Sequence, residues 1–173
     1  MGNIITQLRK PRKIVVLGLQ NAGKSTIIQL LKHKYMSVKM LPINPTKGLL
    51  VSGLKVNKKN YVLWEMGGYE EIRPFYHCYC LGLSGMIFVI DGSDKNKNNN
   101  SIKLLSEVLQ DSIIDKCVLL ILIHKNIDED DYTNLKEKVD ELLKNRIYNI
   151  FHTDIEKEES IINAFDWMNS KIK

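Results

Sequence analysis

The chain has 173 residues, of which 44% are hydrophobic and 26% are charged, a composition that fits one globular domain with a single core. The formal charge of +5 lies partly in RKPRK at residues 9–13, and because no basic stripe interleaved with aromatic residues follows it, we expect no nucleic-acid partner. No apolar run reaches the ~20 residues of a membrane span, and the three cysteines form no CxxC pair, so reduced cytosolic thiols are expected rather than a zinc site.

The predicted elements alternate between short apolar runs and longer helical patterns, which indicates an α/β fold with a mostly parallel sheet covered by helices. Strands are predicted at residues 13–18, 47–56, 61–66, 85–91, 117–123 and 147–151. Helices are predicted at residues 24–33, 101–112, 132–145 and 158–172. NKKN links the second and third strands as a hairpin turn, and KNKNNN at residues 95–100 is interpreted as a solvated loop. The chain therefore divides into an N-terminal segment, residues 1–12, and one domain, residues 13–173.

The strongest motif is GLQNAGKST, which follows the first strand and opens the first helix. It fits G-x-x-x-x-G-K-[ST], a loop whose backbone amides curl around phosphate oxygens. Lys24 supplies a positive charge, Ser25 can ligate Mg²⁺, and the helix N-terminus adds its partial charge. This P-loop predicts a nucleotide-binding site that includes Gly18, Leu19, Gln20, Asn21, Ala22, Gly23, Lys24, Ser25 and Thr26.

Further motifs follow the P-loop in a fixed order: PTxG at residues 45–48, WxxGGxxxIRP at residues 64–74 and IFVID at residues 87–91. Together with the MGNI start, they resemble the Arf and Arf-like small GTPases over essentially the whole chain. The resemblance implies a Ras-like fold with a six-stranded sheet, one antiparallel strand, helices on both faces and two nucleotide-sensing switches. It also implies that Thr46 contacts Mg²⁺ and the γ-phosphate and that the Gly68 amide meets the γ-phosphate.

The same resemblance implies cofactors, partners and a location. GTP or GDP would bind with Mg²⁺, and GTP would be hydrolysed to GDP. An exchange factor, a GTPase-activating protein and effectors would bind a monomer through the switches. The protein would be cytoplasmic and would associate reversibly with Golgi or other endomembranes during vesicle-mediated and intracellular protein transport.

Two departures from the family pattern lie beside the glycine pair. Tyr69 stands where the family has the glutamine that orients the attacking water. The phenol is poorly shaped for that role, so slow hydrolysis is predicted, with packing against a partner or the switch surface preferred to a replacement catalytic role. Glu65 stands where the family has aspartate, and its longer side chain still permits a water-mediated contact to Mg²⁺.

A third departure affects the nucleotide base. The family carries N-K-x-D after the fifth strand, and its aspartate accepts from the ring N–H and the amino group of guanine; this chain has HKNI at residues 124–127. Lys125 can still stack on the base, but His124 replaces the asparagine and Ile127 replaces the aspartate. Losing two charge-assisted hydrogen bonds of about 1.5–3 kcal/mol each predicts guanine binding weaker by several powers of ten. In the alternative, the loop shifts by one residue and Asp128 takes over.

The start MGNIIT fits the N-myristoylation pattern, with Gly2 as the acceptor. One myristoyl chain gives only marginal membrane binding. A second contribution is available from Arg9, Lys10, Arg12 and Lys13, at about 1 kcal/mol for each basic residue near an anionic surface. The other interpretation is a disordered basic tail.

The leading hypothesis is an Arf-like switch protein that binds GTP or GDP and turns over slowly. The alternative is a pseudo-GTPase, an interaction module with impaired guanine specificity. A P-loop enzyme such as a kinase is disfavoured, because no arginine-rich lid and no second substrate motif are present.

Overall fold

The computed structural model describes residues 10–173, so the predicted acceptor Gly2 lies outside the described residues. One sheet has six strands in the order β2-β3-β1-β4-β5-β6. All neighbouring strands are parallel except β2 and β3, which are antiparallel. The strands are β1 Arg12–Leu17, β2 Leu49–Val56, β3 Lys59–Met66, β4 Leu83–Asp91, β5 Val118–His124 and β6 Ile147–Thr153. The predicted α/β class, with one antiparallel strand in a six-stranded sheet, is confirmed.

Helices cover both faces of this sheet because the side chains of each buried strand alternate between them. Helices α1 and α5 bury one apolar cluster, with Ile27 and Phe165 among its members. Helices α2, α3 and α4 bury the other cluster, with Leu105 and Val139 among its members. The helices are α1 Lys24–Met36, α2 Tyr76–Tyr79, α3 Lys95–Val108, α4 Glu129–Leu142 and α5 Glu158–Lys171, and 3-10 helices occupy Glu70–Phe75 and Ser112–Lys116.

The hairpin between β2 and β3 forms as the polar NKKN turn predicts. Val56 pairs with Lys59, which leaves Asn57 and Lys58 as the two-residue loop. Asn57 has a φ of 53°, a left-handed conformation that asparagine tolerates and that two-residue hairpin turns require.

The prediction of a solvated loop at residues 95–100 is wrong. Helix α3 begins at Lys95, six residues before the predicted start at Ser101. Asparagine is a poor helix former, so local propensity argued against this turn. Two kinds of ion pair offset that preference. Lys97 Nζ lies 2.6 Å from Asp94 Oδ2 within the first turn, and Lys95 pairs across to Asp128 and Asp131 at the start of α4.

The fold gathers several functional loops at one edge of the sheet. Parallel strands present their carboxyl ends together, and ligands of open α/β sheets bind beside those ends. Strand β1 leads into the P-loop, β3 into the glycine pair, and β5 into HKNI. These are the segments in which the sequence placed the candidate residues.

Two further features of residues 10–173 are the hydropathy of the helices and the state of the cysteines. No helix within residues 10–173 is long and apolar enough to cross a membrane. All three cysteines are free, with Cys78 exposed and Cys80 and Cys117 buried. Burial raises the pKa of Cys80 to about 11 and that of Cys117 to about 12, which keeps both thiols protonated and unreactive at neutral pH.

Candidate functional site

A cleft of about 350 Å³ lies at the carboxyl edge of the sheet. Its volume is within the roughly 300–1,000 Å³ range of small-ligand sites. The predicted site residues that line it are Gln20, Asn21, Gly23, Lys24, Ser25, Thr26, Thr46, Glu65, Gly68, Tyr69, His124 and Lys125. The predicted residues outside its lining are Gly18, Leu19, Ala22, Ile127 and Asp128. Most of the residues predicted from separate motifs therefore share one cleft.

The P-loop backbone has the curvature needed to surround an anion. Gly18 has a φ of 143° and Gly23 a φ of 99°, both in the region that favours glycine. A Cβ on Gly18 would collide with the carbonyl oxygen of Val89, so a larger residue could not keep this path. Gly23 is the N-cap of α1, which directs the free amides and partial positive charge of that helix at the cleft.

Lys24 is held inside the P-loop instead of extending into solvent. Its Nζ donates to the carbonyl oxygens of Gly18 at 3.0 Å and Leu19 at 2.8 Å. Burial lowers the pKa of Lys24 to about 8, and the negative charge of Glu65 opposes that shift. An ammonium that has lost much of its hydration is ready to gain phosphate oxygens as partners.

This lowered pKa predicts that nucleotide binding takes up a proton at alkaline pH. Phosphate favours the charged form of Lys24, so affinity for GDP should be nearly constant between about pH 7 and pH 7.5, where the terminal phosphate is already ionised, and should fall by up to roughly tenfold per pH unit above about pH 8. Calorimetric titrations in two buffers of different ionisation enthalpy measure the uptake directly. Equal proton uptake at about pH 7 and about pH 9 would contradict the assignment of the phosphate contact to Lys24.

Ser25, Thr46 and Glu65 form a hydroxyl–carboxylate cluster beside the P-loop. Glu65 Oε1 accepts from Ser25 Oγ and from Thr46 Oγ1, the latter at 3.0 Å, and the two hydroxyl oxygens lie 3.4 Å apart. Glu65 is only 2% exposed, and its Oε2 is buried without a hydrogen-bond partner among the described residues. Hard oxygen donors are the ligands that Mg²⁺ prefers. This donor set and the unpartnered oxygen fit Mg²⁺, with Ser25 and Thr46 available as direct ligands and Glu65 as a direct or water-mediated one.

The glycine pair after β3 is required by two close backbone approaches. A Cβ on Gly67 would lie 2.7 Å from the carbonyl oxygen of Thr46, and a Cβ on Gly68 would collide with the backbone of Gln20 in the P-loop. The Gly67 amide donates to the Gly48 carbonyl at 2.6 Å. The segments around Thr46 and Gly68 therefore both touch the P-loop end of the cleft.

Tyr69 extends from this glycine pair into the cleft wall. It is half-buried, lines the cleft beside Gln20, and precedes the 3-10 helix Glu70–Phe75 as its N-cap. Tyr69 therefore follows Gly68 directly in the lining of the cleft.

The opposite end of the cleft contains His124 and Lys125. His124 is buried, and its Nδ1 lies 3.1 Å from Thr153 Oγ1. Burial lowers the pKa of His124 below its ordinary value, although the negative charge of Asp154 opposes the shift. Lys125 Nζ forms an ion pair with Asp91 and donates to the Asn21 carbonyl at 2.8 Å. These contacts join the P-loop to the end of β5.

Asp128 does not take the place of the missing aspartate. Its carboxylate accepts from the Asp131 amide at 3.1 Å, as the N-cap of α4, and pairs with Lys95 at 3.2 Å. Ile127 packs partly buried against the core, next to Gly92. The loop shift considered from the sequence is therefore not observed, and Asp128 stabilises a helix start instead.

The cleft also contains residues that the sequence did not single out as contacts: Ile43, Asn44, Pro45 and Ile155. Pro45 belongs to the PTxG motif, and Ile43 and Asn44 precede it, so proximity to Thr46 was an available signal. Ile155 lies two residues after Thr153, the last residue of β6. In that strand His152 donates to the Lys125 carbonyl at 3.0 Å, and Thr153 Oγ1 lies 3.1 Å from His124 Nδ1. An isoleucine in an irregular loop carries no periodic signal that could have identified it.

A six-stranded, mostly parallel sheet whose first strand leads into a P-loop, with a hydroxyl–carboxylate cluster beside it, is the architecture of the Ras-like small GTPases. Comparison with protein families gives the more particular result. The model of the ADP-ribosylation factor family matches residues 1–172, and the chain belongs to that family of small GTP-binding proteins.

Individual relatives agree with this assignment. ADP-ribosylation factor-like protein 1 of Saccharomyces cerevisiae is 30% identical, with 100% of this chain and 98% of that protein covered. The Drosophila melanogaster protein of the same name is 28% identical at the same coverage. Among solved structures, the Arl6 BBS3 small GTPase from Trypanosoma brucei with bound nucleotide analogue GppNp has a TM-score of 0.81 at 20% identity, covering 94% of this chain and 97% of that chain.

Proposed function

We propose that this protein is a nucleotide-dependent switch in membrane trafficking that binds a nucleoside di- or triphosphate, GTP or GDP by family, with Mg²⁺ and hydrolyses the triphosphate slowly. The observation that carries the proposal is the hydroxyl–carboxylate cluster, because it joins three separate segments at the phosphate end of the cleft. Ser25 comes from the P-loop, Thr46 from the loop before β2 and Glu65 from the end of β3. A terminal phosphate and its metal ion would hold these segments together.

Switching follows from how those segments are connected. Thr46 and Gly68 lie on either side of the β2–β3 hairpin. The Thr46 hydroxyl oxygen lies 3.4 Å from Ser25 Oγ of the P-loop, and the Gly68 backbone lies against Gln20. Loss of a terminal phosphate removes the shared partner of the Thr46 hydroxyl and the Gly68 amide, which frees both segments to move. Exchange factors, GTPase-activating proteins and effectors would read that movement on the switch surface of a monomer.

Slow hydrolysis is supported by the side chain that follows Gly68. Positioning of the attacking water is one of the recurring parts of phosphoryl-transfer sites. Tyr69 lines the cleft and offers one hydroxyl on a rigid ring in place of a short carboxamide. Reset of the switch would then depend on a partner or on nucleotide exchange.

The direct test is the nucleotide content of purified protein, followed by exchange for GDP or a non-hydrolysable triphosphate. Trp64 is a suitable reporter because it precedes Glu65 and packs against Tyr79, with ring centroids 5.8 Å apart, and Lys13 Nζ lies 3.9 Å from its ring centroid. In a Trp167→Phe background, fluorescence of Trp64 should differ between the two nucleotide states. Identical spectra and no bound nucleotide would contradict the switch proposal.

Membrane association is the N-terminal part of the same proposal. Gly2→Ala removes the acceptor of the myristoyl group, so this variant should lose the binding to anionic liposomes that the acylated wild type shows. The basic stretch at residues 9–13 alone gives only weak attraction. Neutralising Arg9 and Lys10 in the myristoylated protein should weaken binding in a salt-sensitive manner, and these two residues precede β1, so the sheet stays unchanged. Co-sedimentation with liposomes measures both effects, and equal binding by acylated and unacylated protein would contradict a role for myristate.

A further inference from the structure

The base end of the cleft contains a histidine in a fixed orientation. His124 is 2% exposed, lines the cleft and holds its Nδ1 3.1 Å from Thr153 Oγ1. Its other ring edge packs against the P-loop: a Cβ placed on Gly23 would be 2.9 Å from Nε2. The ring is thus wedged between β6 and the P-loop, with Nε2 on the P-loop side.

The hydrogen bond to Thr153 determines which nitrogen carries the proton. Thr153 is 1% exposed, and among the described residues the partner of the Thr153 hydroxyl is His124 Nδ1. With Thr153 as the donor and Nδ1 as the acceptor, this contact uses the proton of a buried hydroxyl. The neutral imidazole then has its N–H at Nε2, and because both His124 and Gly23 line the cleft, this donor lies where the cleft meets the P-loop.

The carboxylates around this end are committed to other partners. Asp91 pairs with Lys125 and accepts from Ser93, while Asp128 caps α4. Asp154 accepts from the Glu156 amide at 3.0 Å and does not line the cleft. Among the described residues, Glu65 is the acidic residue in the cleft lining, and it lies at the phosphate end in the hydroxyl–carboxylate cluster.

These two observations together determine which bases fit. Guanine and adenine share the N7 acceptor, whereas the 2-amino donor belongs to guanine alone. A donor without a carboxylate can pair with N7 of either purine but cannot select the 2-amino and N1–H groups of guanine. We infer that this site takes purine nucleotides as a class, with the His124 Nε2–H group bound to N7, and binds GDP and ADP with similar affinity.

This inference rests on the proposed nucleotide site and refines its ligand class. Titration of the full chain with GDP, ADP, CDP and 7-deaza-GDP in the presence of Mg²⁺ tests it. GDP and ADP are expected to bind within about tenfold of each other, or about 1.4 kcal/mol, and CDP more weakly than both. The analogue 7-deaza-GDP lacks the N7 acceptor and should bind about tenfold more weakly than GDP.

Two pairs of variants separate the contributions. His124→Leu should bind GDP and 7-deaza-GDP equally, whereas His124→Asn, which keeps a donor, should retain a preference for GDP. Ile127→Asp should raise the GDP-to-ADP affinity ratio by about a hundredfold or more through two charge-assisted bonds, and the uncharged Ile127→Asn should give a much smaller change.

The outcomes distinguish this inference from the function on which it rests. A wild-type preference for GDP over ADP above about a hundredfold, or equal affinity for GDP and 7-deaza-GDP, would overturn the purine-class inference and leave the switch proposal intact. Binding of none of these nucleotides, with wild type indistinguishable from Lys24→Ala, would overturn both. Variants that fail to fold do not affect the decision, because the wild-type affinities alone decide between these outcomes.

Discussion

Replacing Lys24 with alanine is expected to abolish the thermal stabilisation that GDP and Mg²⁺ give the wild-type protein. A ligand at about a thousand times its Kd stabilises the folded state by about 4 kcal/mol, so its loss is a large effect. The physical reason is the position of Lys24: it is the buried cation of the P-loop, held by the Gly18 and Leu19 carbonyls. Without its ammonium, the phosphates lose their principal charge partner in a partly desolvated site.

The nucleotide-free variant should remain folded, which makes the result interpretable. Burial already lowers the pKa of Lys24, so keeping it charged in the empty P-loop costs free energy of folding, and alanine removes that cost. Lys34→Ala is the matched control, because Lys34 is an exposed lysine in the last turn of the same helix. Full nucleotide stabilisation in Lys24→Ala, or an equal loss in Lys34→Ala, would refute the assignment of the phosphate site.

The central elements of the fold were predictable from the sequence because their signals are local. The buried strand at residues 85–91 is apolar up to its last residue, Asp91, and the structure extends it by only two residues, to Leu83–Asp91. The P-loop is likewise a contiguous motif between a strand and a helix, and its curvature depends on Gly18 and Gly23 themselves. In both cases one short segment contains the physical cause of its own structure.

The errors arose where the cause lies elsewhere in the chain. The first turn of α3 depends on the pairing of Lys95 with acids at the start of α4, and nothing within residues 95–100 indicates those partners. Asp128 is a comparable case, since its sequence position next to Ile127 left a role in base recognition open as the alternative. The three-residue spacing to Asp131 makes it a helix cap instead, which is an N-terminal signal that periodicity alone did not reveal.

The site itself was predictable as a set of motifs but not as a geometry. Sequence order gave Ser25, Thr46 and Glu65 as separate candidates, whereas their convergence on one carboxylate oxygen depends on how the β2–β3 hairpin lies against the P-loop. The unpartnered Glu65 Oε2 is likewise visible only in three dimensions. The sequence marked the longer side chain of Glu65 as a departure. The structure holds that side chain buried, with its Oε1 accepting from Ser25 and Thr46.

Tyr69 gives the second prediction with a large expected effect. A group positioned to handle the attacking water contributes about 10²–10⁴-fold to such a reaction. Because Gly68 contacts the P-loop through its backbone, a change at Tyr69 should leave nucleotide loading intact. Tyr69→Gln restores a short carboxamide directly after Gly68, and removing the ring opens the cleft wall to water. We therefore expect single-turnover hydrolysis of GTP to rise by about a hundredfold.

Phosphate release from protein preloaded with GTP and Mg²⁺ is the measurement that decides this prediction. Tyr69→Phe is the matched control, since it keeps the ring and removes only the hydroxyl; its rate should equal that of wild type. A slower Tyr69→Phe would mean that the phenol takes part in the reaction, and a Tyr69→Gln variant slower than wild type would show that Tyr69 is not the defect. If the rate of Tyr69→Gln equals that of wild type, Glu65→Asp in the same background tests whether the carboxylate at the proposed Mg²⁺ site limits the rate. The shorter side chain withdraws from Ser25 and Thr46, which leaves room for a water between the carboxylate and Mg²⁺.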